Sequence, residues 1–254
     1  MPKAGNAAVK KFVDLHLCPR LENPAHLKQM IEKAAELGYK TVGIPFPAQQ
    51  PQENIKLAKK ICNDTGVELV TRIDLSPNNP AELLKNLRKL RRKIEVIAVK
   101  CYSKTVARQA AKDRRVDILS FPSTSPRKRF FNSAEANLAS KALAAFEIDM
   151  APLLYLQGFR RCLLLSCLRK ETMTATKRGV PLILSSGASD ALLLRKPKDY
   201  AALTYLFDLD AKTAEQAVSQ NPQAIIERNR RKLSPDYIAP DVYLVRRGKD
   251  CPSE

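Results

Sequence analysis

An aspartate and a histidine two residues apart, Asp14 and His16, stand in the segment Phe12-Val13-Asp14-Leu15-His16-Leu17-Cys18, which alternates apolar and polar side chains. Period two is the pattern of a strand with two unlike faces. It predicts Phe12, Asp14, His16 and Cys18 on one face and Val13, Leu15 and Leu17 on the other. A carboxylate and an imidazole on one face could open a metal site. A catalytic zinc, manganese or iron centre needs about three or more protein ligands, mostly histidine and carboxylate, and an open position. The chain has two histidines, His16 and His26, and His26 falls on a predicted helix. The remaining candidates are Asp14, Asp74 and Asp149, which with His16 would hold one ion at most. Arg72 and Lys100 are expected at the same end of the fold, where they would oppose a cation. His16 therefore reads as a hydrogen-bonded residue rather than a ligand.

Other catalytic patterns are absent. No G-x-S-x-G elbow, P-loop or G-x-G-x-x-G occurs. Ser185-Ser186-Gly187-Ala188 could offer backbone N–H groups to a phosphate, but it equally fits the tight strand-to-helix turn that any barrel needs, and the turn is the favoured reading.

The elements that would position these residues follow in regular alternation. Asn23-Pro24 caps a helix with Leu27, Met30, Ile31, Ala34 and Leu37 at helical spacing, closed by Gly38. Strands are predicted at 41–45, 67–73, 94–99, 116–121, 145–150 and 180–185. Between them lie helices near 52–64, 79–93, 105–115, from 132, and 158–177, the last with Leu163, Leu164, Leu165, Cys167 and Leu168 inward. Two capped helices follow Asp210 and Asn221-Pro222. Strand–helix alternation of this kind gives parallel strands with right-handed crossovers. The expectation is an α/β fold, a distorted TIM-like (β/α) barrel of about seven parallel strands, over residues 12–232. Residues 1–11 read as a flexible basic arm and 233–254 as a C-terminal extension with weak strand signal around Val242 to Val245.

Composition narrows the partners. The chain has 44 basic and 26 acidic residues among 254, a formal charge of +18, an excess that points to a polyanion through counterion release. No apolar run is long enough for a membrane span, and the basic start lacks the apolar stretch of a signal peptide, so a cytoplasmic protein is expected. The six cysteines carry no C-x-x-C pair and read as small buried hydrophobes. With no tryptophan and few aromatics, base stacking on an exposed aromatic sheet is not suggested. Cations cluster on the 79–93 helix, including Arg88, Arg91 and Arg92, and on the loop 122–131, where Arg127-Lys128-Arg129 precedes Phe130-Phe131. That triplet is the sharpest local candidate for phosphate contact.

The opening strand resembles that of the polymerase and histidinol phosphatase barrels, in which an H-x-H pair binds metal. His16 matches one of the pair, Cys18 stands where the other should be, and the later histidines are missing. The phosphoesterase activity is therefore not carried over. A closer resemblance is to the protein component 3 family of archaeal and eukaryotic ribonuclease P, a non-catalytic branch of that barrel, over residues 12–230. It rests on the first strand, Ala35-Glu36-Leu37-Gly38-Tyr39, Phe146-Glu147-Ile148, Arg160-Arg161, Ile183-Leu184-Ser185-Ser186-Gly187-Ala188 and Leu194-Arg195-Lys196-Pro197-Lys198-Asp199.

The resemblance implies a subunit that binds the catalytic ribonuclease P RNA and supports removal of the 5′ leader of precursor tRNA. It would pair with a small RRM-like subunit beside other ribonuclease P proteins, with no cofactor of its own and Mg²⁺ held with the RNA. The RNA-contact residues expected are Arg127, Lys128, Arg129, Arg88, Arg91, Arg92, Lys100, Arg72, Arg161 and Arg195. The competing readings are a metal-dependent phosphoesterase or nuclease acting alone through Asp14, His16, Asp74 and Asp149, and a protein-interaction scaffold with incidental charge.

Overall fold

A computed structural model describes residues 11–49, 52–239 and 242–244. Most of the basic arm and most of the tail beyond 239 lie outside the described residues. Seven parallel strands run in sequence order: β1 (Phe12–Asp14), β2 (Tyr39–Pro45), β3 (Glu68–Leu75), β4 (Val96–Lys100), β5 (Ile118–Ser120), β6 (Ala145–Asp149) and β7 (Leu182–Ser185). The helices between them are α1 (Pro24–Glu36), α2 (Gln52–Thr65), α3 (Pro80–Leu90), α4 (Lys104–Lys112), α5 (Ser133–Ala142), and then α6 (Ala151–Tyr155) and α7 (Gly158–Lys177), both between β6 and β7. After β7 come α8 (Pro197–Leu203), α9 (Ala211–Ala217) and α10 (Gln220–Leu233), and an antiparallel pair, β8 (Tyr237–Ala239) and β9 (Val242–Tyr243). The seven-stranded TIM-like barrel expected from the sequence is the fold observed.

Local chemistry fixes the helix starts. Asn23 Oδ1 accepts the His26 N–H, Asn79 Oδ1 accepts that of Glu82, and Asp210 Oδ1 accepts that of Thr213, each satisfying a donor with no partner inside its helix. Two expectations shift. α10 begins at Gln220, because Asn221 turns its amide to the Leu182 carbonyl (2.8 Å) instead of capping. In α7 the buried stripe is Leu164, Leu168, Glu171, Thr172 and Ala175, and Leu163, Leu165 and Cys167 are only half-buried. Of the cysteines, Cys62 and Cys101 are buried but Cys162 is exposed.

The ring closes in two ways. At the carboxyl ends of the strands, which form the pole, β1 and β7 are stitched by a Leu17–Ala188 bridge and by Gly187 N–H to the His16 carbonyl. At the opposite end, the floor, α10 lies across the ring. Its Ile225 and Ile226 join Val13, Leu15, Val70, Val96, Ala98, Ile118, Ala145 and Ile183 in the inner core. Burying two isoleucines stabilises the ring by about 1.5–3 kcal/mol each, so α10 plugs the floor, in contact with β1, β4 and β7.

Candidate functional site

In parallel barrels the chemistry collects at the pole, and here it holds a chain of alternating charges. Arg72, fully buried, donates Nη1 and Nη2 to both oxygens of Glu147 (2.6 and 2.7 Å), Nε to Asp74 Oδ1 (2.6 Å) and Nη1 again to the Leu15 carbonyl (2.9 Å). Ser185 Oγ donates to Glu147 (2.7 Å). Asp74 Oδ2 lies 3.0 Å from His16 Nε2 and 3.2 Å from Lys100 Nζ, and His16 Nδ1 lies 2.7 Å from Asp149 Oδ1. Three carboxylates thus meet Arg72, Lys100 and the His16 ring.

The electrostatics decide the state of that ring. Burial and the nearby Arg72 both disfavour the imidazolium, but the carboxylates of Asp149 and Asp74, with Cys18, outweigh them and hold the His16 pKa well above its ordinary value. Burial opposes ionisation of Asp74 as well, yet Arg72, His16 and Lys100 hold it well below the carboxylate range, and His16 and Arg72 lower Asp149 against the same penalty. The shift favours the imidazolium, with Nδ1 hydrogen-bonded to Asp149 and Nε2 paired by charge with Asp74.

A metal ion does not fit this arrangement. Ligand atoms of His16, Glu147 and Asp149 come within 4.8 Å of one another, but His16 Nδ1 and Asp149 Oδ1 are already bonded to each other, and both Glu147 oxygens are spent on Arg72. The guanidinium is a fixed cation against Glu147 and Asp74. Asp14, expected beside His16, points elsewhere: its Oδ1 accepts the N–H groups of His16 (3.1 Å) and Ser186 (2.9 Å). Burial raises its pKa despite those bonds.

The Ser185–Ala188 turn is likewise consumed internally. Ser186 Oγ donates to the His16 carbonyl and accepts the Ala188 N–H, so the turn reading holds and no open N–H cradle remains. Gly187 has φ +58°, and a Cβ there would stand 2.8 Å from Asp149 Cβ and Cγ. Gly187→Ala is expected to cost about 1–3 kcal/mol through strained backbone and a displaced Asp149, read as a lower denaturation midpoint.

The ten expected contact residues separate into inner and outer groups. Arg72 is sealed in the pole, a correction to its reading as an RNA contact. Arg129 is also turned inward: its guanidinium, 2 % exposed, grips Glu171 (2.6 Å), donates to the Phe121 carbonyl and stands over the Phe121 and Phe146 rings. Phe131 packs on the same two rings. Lys100 is half-buried on Asp74, and Arg91 is spent on Asp117 and on the Ile94, Glu95 and Arg115 carbonyls. Arg161 Nε donates to the Leu156 carbonyl, and Arg195, although exposed, to those of Leu192 and Leu194. Arg88, Arg92, Arg127 and Lys128 are exposed, and no ion pair among the described residues ties them down.

The structure adds a basic group that linear reading did not assemble. The C-terminal ends of α3, α4 and α10 converge on the floor around Asp117. Asp117 accepts from Arg91 (2.5 Å) and Arg228 (3.0 Å). Lys232 stands close by: burial and the cations Arg228, Arg91 and Arg114 push its ammonium pKa down, with Asp117 opposing. Exposed Arg88, Lys89, Arg92, Lys93, Lys112 and Arg114 belong to the same helix ends. Cations at helix C-termini suit the dipole, but the floor carboxylates Asp117, Asp113, Glu68 and Glu95 are already paired with Arg91, Arg228, Arg115 and Arg230, which leaves the exposed cations of this end in excess.

Among the described residues no helix is long and apolar enough to cross a membrane. The chain is 33% identical over 223 residues to ribonuclease P protein component 3 of Methanosarcina barkeri, covering 87% of this chain and 90% of that protein. It is 30% identical over 227 residues to the protein of the same name from Methanococcoides burtonii, with coverages of 88% and 90%. Its fold superposes with a TM-score of 0.80 on a chain in the cryo-EM structure of archaeal ribonuclease P with mature tRNA, at 20% identity, covering 94% of this chain and all of that one. The model of the RNase P subunit p30 family matches residues 11–234, so the chain belongs to that family.

Proposed function

We propose that this protein is a non-catalytic subunit of ribonuclease P that binds the catalytic RNA and supports cleavage of the 5′ leader of precursor tRNA. The observation that carries this reading is the placement of charge. The pole that would house a metallo-enzyme is internally neutralised around Arg72, whereas the unpaired cations stand outside, on the floor and on the loop at Arg127 and Lys128. Outward cations release counterions from phosphates without reading sequence. The protein needs no cofactor of its own, and Mg²⁺ works with the RNA. Family membership supports protein partners in the same particle, among them a small RRM-like subunit, and a cytoplasmic location.

Filter binding of the ribonuclease P RNA across a salt series tests the loop. With Arg127→Glu and Lys128→Glu together, affinity is expected to fall at moderate salt and the log–log salt slope to lose about one unit per phosphate contact removed. Unchanged affinity and slope would assign the RNA surface elsewhere.

A further inference from the structure

The pole also bears a small open pocket that the ion chain does not fill. Its volume is about 180 Å³, well below that of a drug-sized site, and Lys100, Tyr102, Ser123, Thr124, Asp149 and Tyr155 contribute to its lining. Tyr102 and Tyr155 are 53% and 47% exposed, although large apolar rings normally seek cover. They stand after β4 and at the end of α6, on either side of the segment that follows β5. Tyr155 lies near enough to Asp149, and Lys100 near enough to Tyr102, for each pair to interact electrostatically. An acceptor, Asp149, and a donor, Lys100, thus line the same pocket as the two phenols.

Charge selects the class of ligand. Arg72 and Lys100 stand against Asp74 and Glu147, with Asp149 and Asp14 beside His16, so the pole carries both signs and presents no cluster of free cations for a phosphate. What it offers is π-faces with one hydrogen-bond acceptor and one donor. Asp149 is held, because His16 Nδ1 lies 2.7 Å from one of its oxygens and its side chain packs where a side chain at Gly187 would otherwise stand. A flat, neutral ring system with donors beside an acceptor matches that set, and guanine matches it best. Its N1–H and N2–H groups can donate to a carboxylate while O6 accepts from a lysine.

We propose that this pocket takes a single unstacked nucleobase of the bound RNA, guanine foremost, stacked by Tyr102 and Tyr155 and read at its edge by Asp149 and Lys100. The proposal rests on the RNA-binding function above and adds a base contact to an otherwise phosphate-directed surface. Exposed aromatics beside hydrogen-bonding groups are how single-stranded bases are held.

The test uses the full chain with each of the four nucleoside 5′-monophosphates, by saturation-transfer NMR at millimolar ligand, with inorganic phosphate as competitor. In parallel, affinity for the ribonuclease P RNA is measured on the parent and on Tyr102→Ala/Tyr155→Ala, whose side chains are half exposed and whose loss should leave the melting temperature in place. Signal on the base protons of GMP, stronger than for the other three and persisting in moderate salt, is expected. The double variant is expected to lose that signal and to bind the RNA about tenfold more weakly, while Tyr102→Phe/Tyr155→Phe retains both. Equal saturation of all four nucleotides, removed by competing inorganic phosphate, would overturn the base site, as would no signal at all. If the parent binds the RNA and the alanine variant binds it equally well, the pocket proposal fails and the RNA-binding function stands. If the parent does not bind the RNA, that function fails on its own account.

Discussion

Arg72→Met is expected to destabilise the barrel by about 3–5 kcal/mol, the cost of removing one partner from a buried ion pair and leaving the other uncompensated. Here the loss is shared between Glu147 and Asp74, both of which point at the missing guanidinium, and the Leu15 carbonyl loses its donor too. Arg72→Lys should fall between parent and methionine variant, since an ammonium keeps the charge but cannot span both Glu147 oxygens. The double substitution Arg72→Met/Glu147→Leu should regain part of the loss by removing the stranded carboxylate. A further arm separates charge from packing. The methionine variant strands two carboxylates, Glu147 and Asp74, without their cation, so Mn²⁺ should raise its melting temperature and leave that of the parent unchanged. Equal melting temperatures for parent and methionine variant would mean that the ion chain does not organise the pole.

The second large effect concerns the floor. Reversing Arg88, Arg92 and Lys232 to glutamate changes the local charge by six units at an end where Asp117 already serves two arginines. Affinity for the ribonuclease P RNA is expected to drop by about 10²-fold or more at 100–150 mM salt, and the salt slope to fall by about one per lost phosphate contact. The thermal midpoint should move little, because Arg88 and Arg92 are exposed and Lys232 is only half-buried. A full loss of RNA binding accompanied by unfolding would instead assign these residues to the fold, and the circular-dichroism melt of the same preparation separates the two outcomes. The loop substitutions at Arg127 and Lys128 should produce a smaller loss, since Arg129, turned inward onto Glu171, cannot contribute a third contact.

The pole also sets a pH dependence whose sign follows from the ionisations. His16 has a pKa above its usual value of about 6.5 in the folded state. Its stabilisation is complete below that value and is lost as pH rises through the folded pKa. Asp74 and Asp149, held low, stabilise above the usual carboxylate range and lose that contribution as pH falls. Melting temperature should therefore peak between the two ranges and decline on the alkaline side. His16→Gln should flatten that alkaline decline, and an unaltered profile in the variant would remove His16 from the account.

The order of the barrel was legible because each strand and helix carries its own signal: caps at Asn23, Asn79 and Asp210, and apolar spacing that switches between two and 3.6. The pole was only half legible. Alternation predicted Asp14 and His16 on one face, but Asp14 Oδ1 accepts the His16 N–H two residues on, a local turn that competes with the strand ladder and ends β1 at Asp14. Arg72 could have been found from its neighbours, since Val70 shares its face and is buried. Its partner Glu147, however, lies 75 residues away, and no local pattern pairs them. Arg129 is the same case with Glu171, 42 residues on: a guanidinium in a basic run reads as solvated until its carboxylate is placed. Arg228, Lys232 and Arg114 were individually visible, and only the convergence of three helix ends makes them one surface. Tyr102 and Tyr155 carry no sequence signal at all, being single tyrosines after unrelated elements.

The most direct measurement is cleavage of a precursor-tRNA 5′ leader at limiting Mg²⁺ in three mixtures: this protein alone, ribonuclease P RNA with the other protein subunits, and the complete set. A protein whose pole is filled by Arg72 and whose cations face outward should cleave nothing alone and should clearly raise cleavage when it completes the set. Leader cleavage by the purified protein alone, abolished by His16→Ala, would contradict the account and restore a metallo-enzyme at the pole.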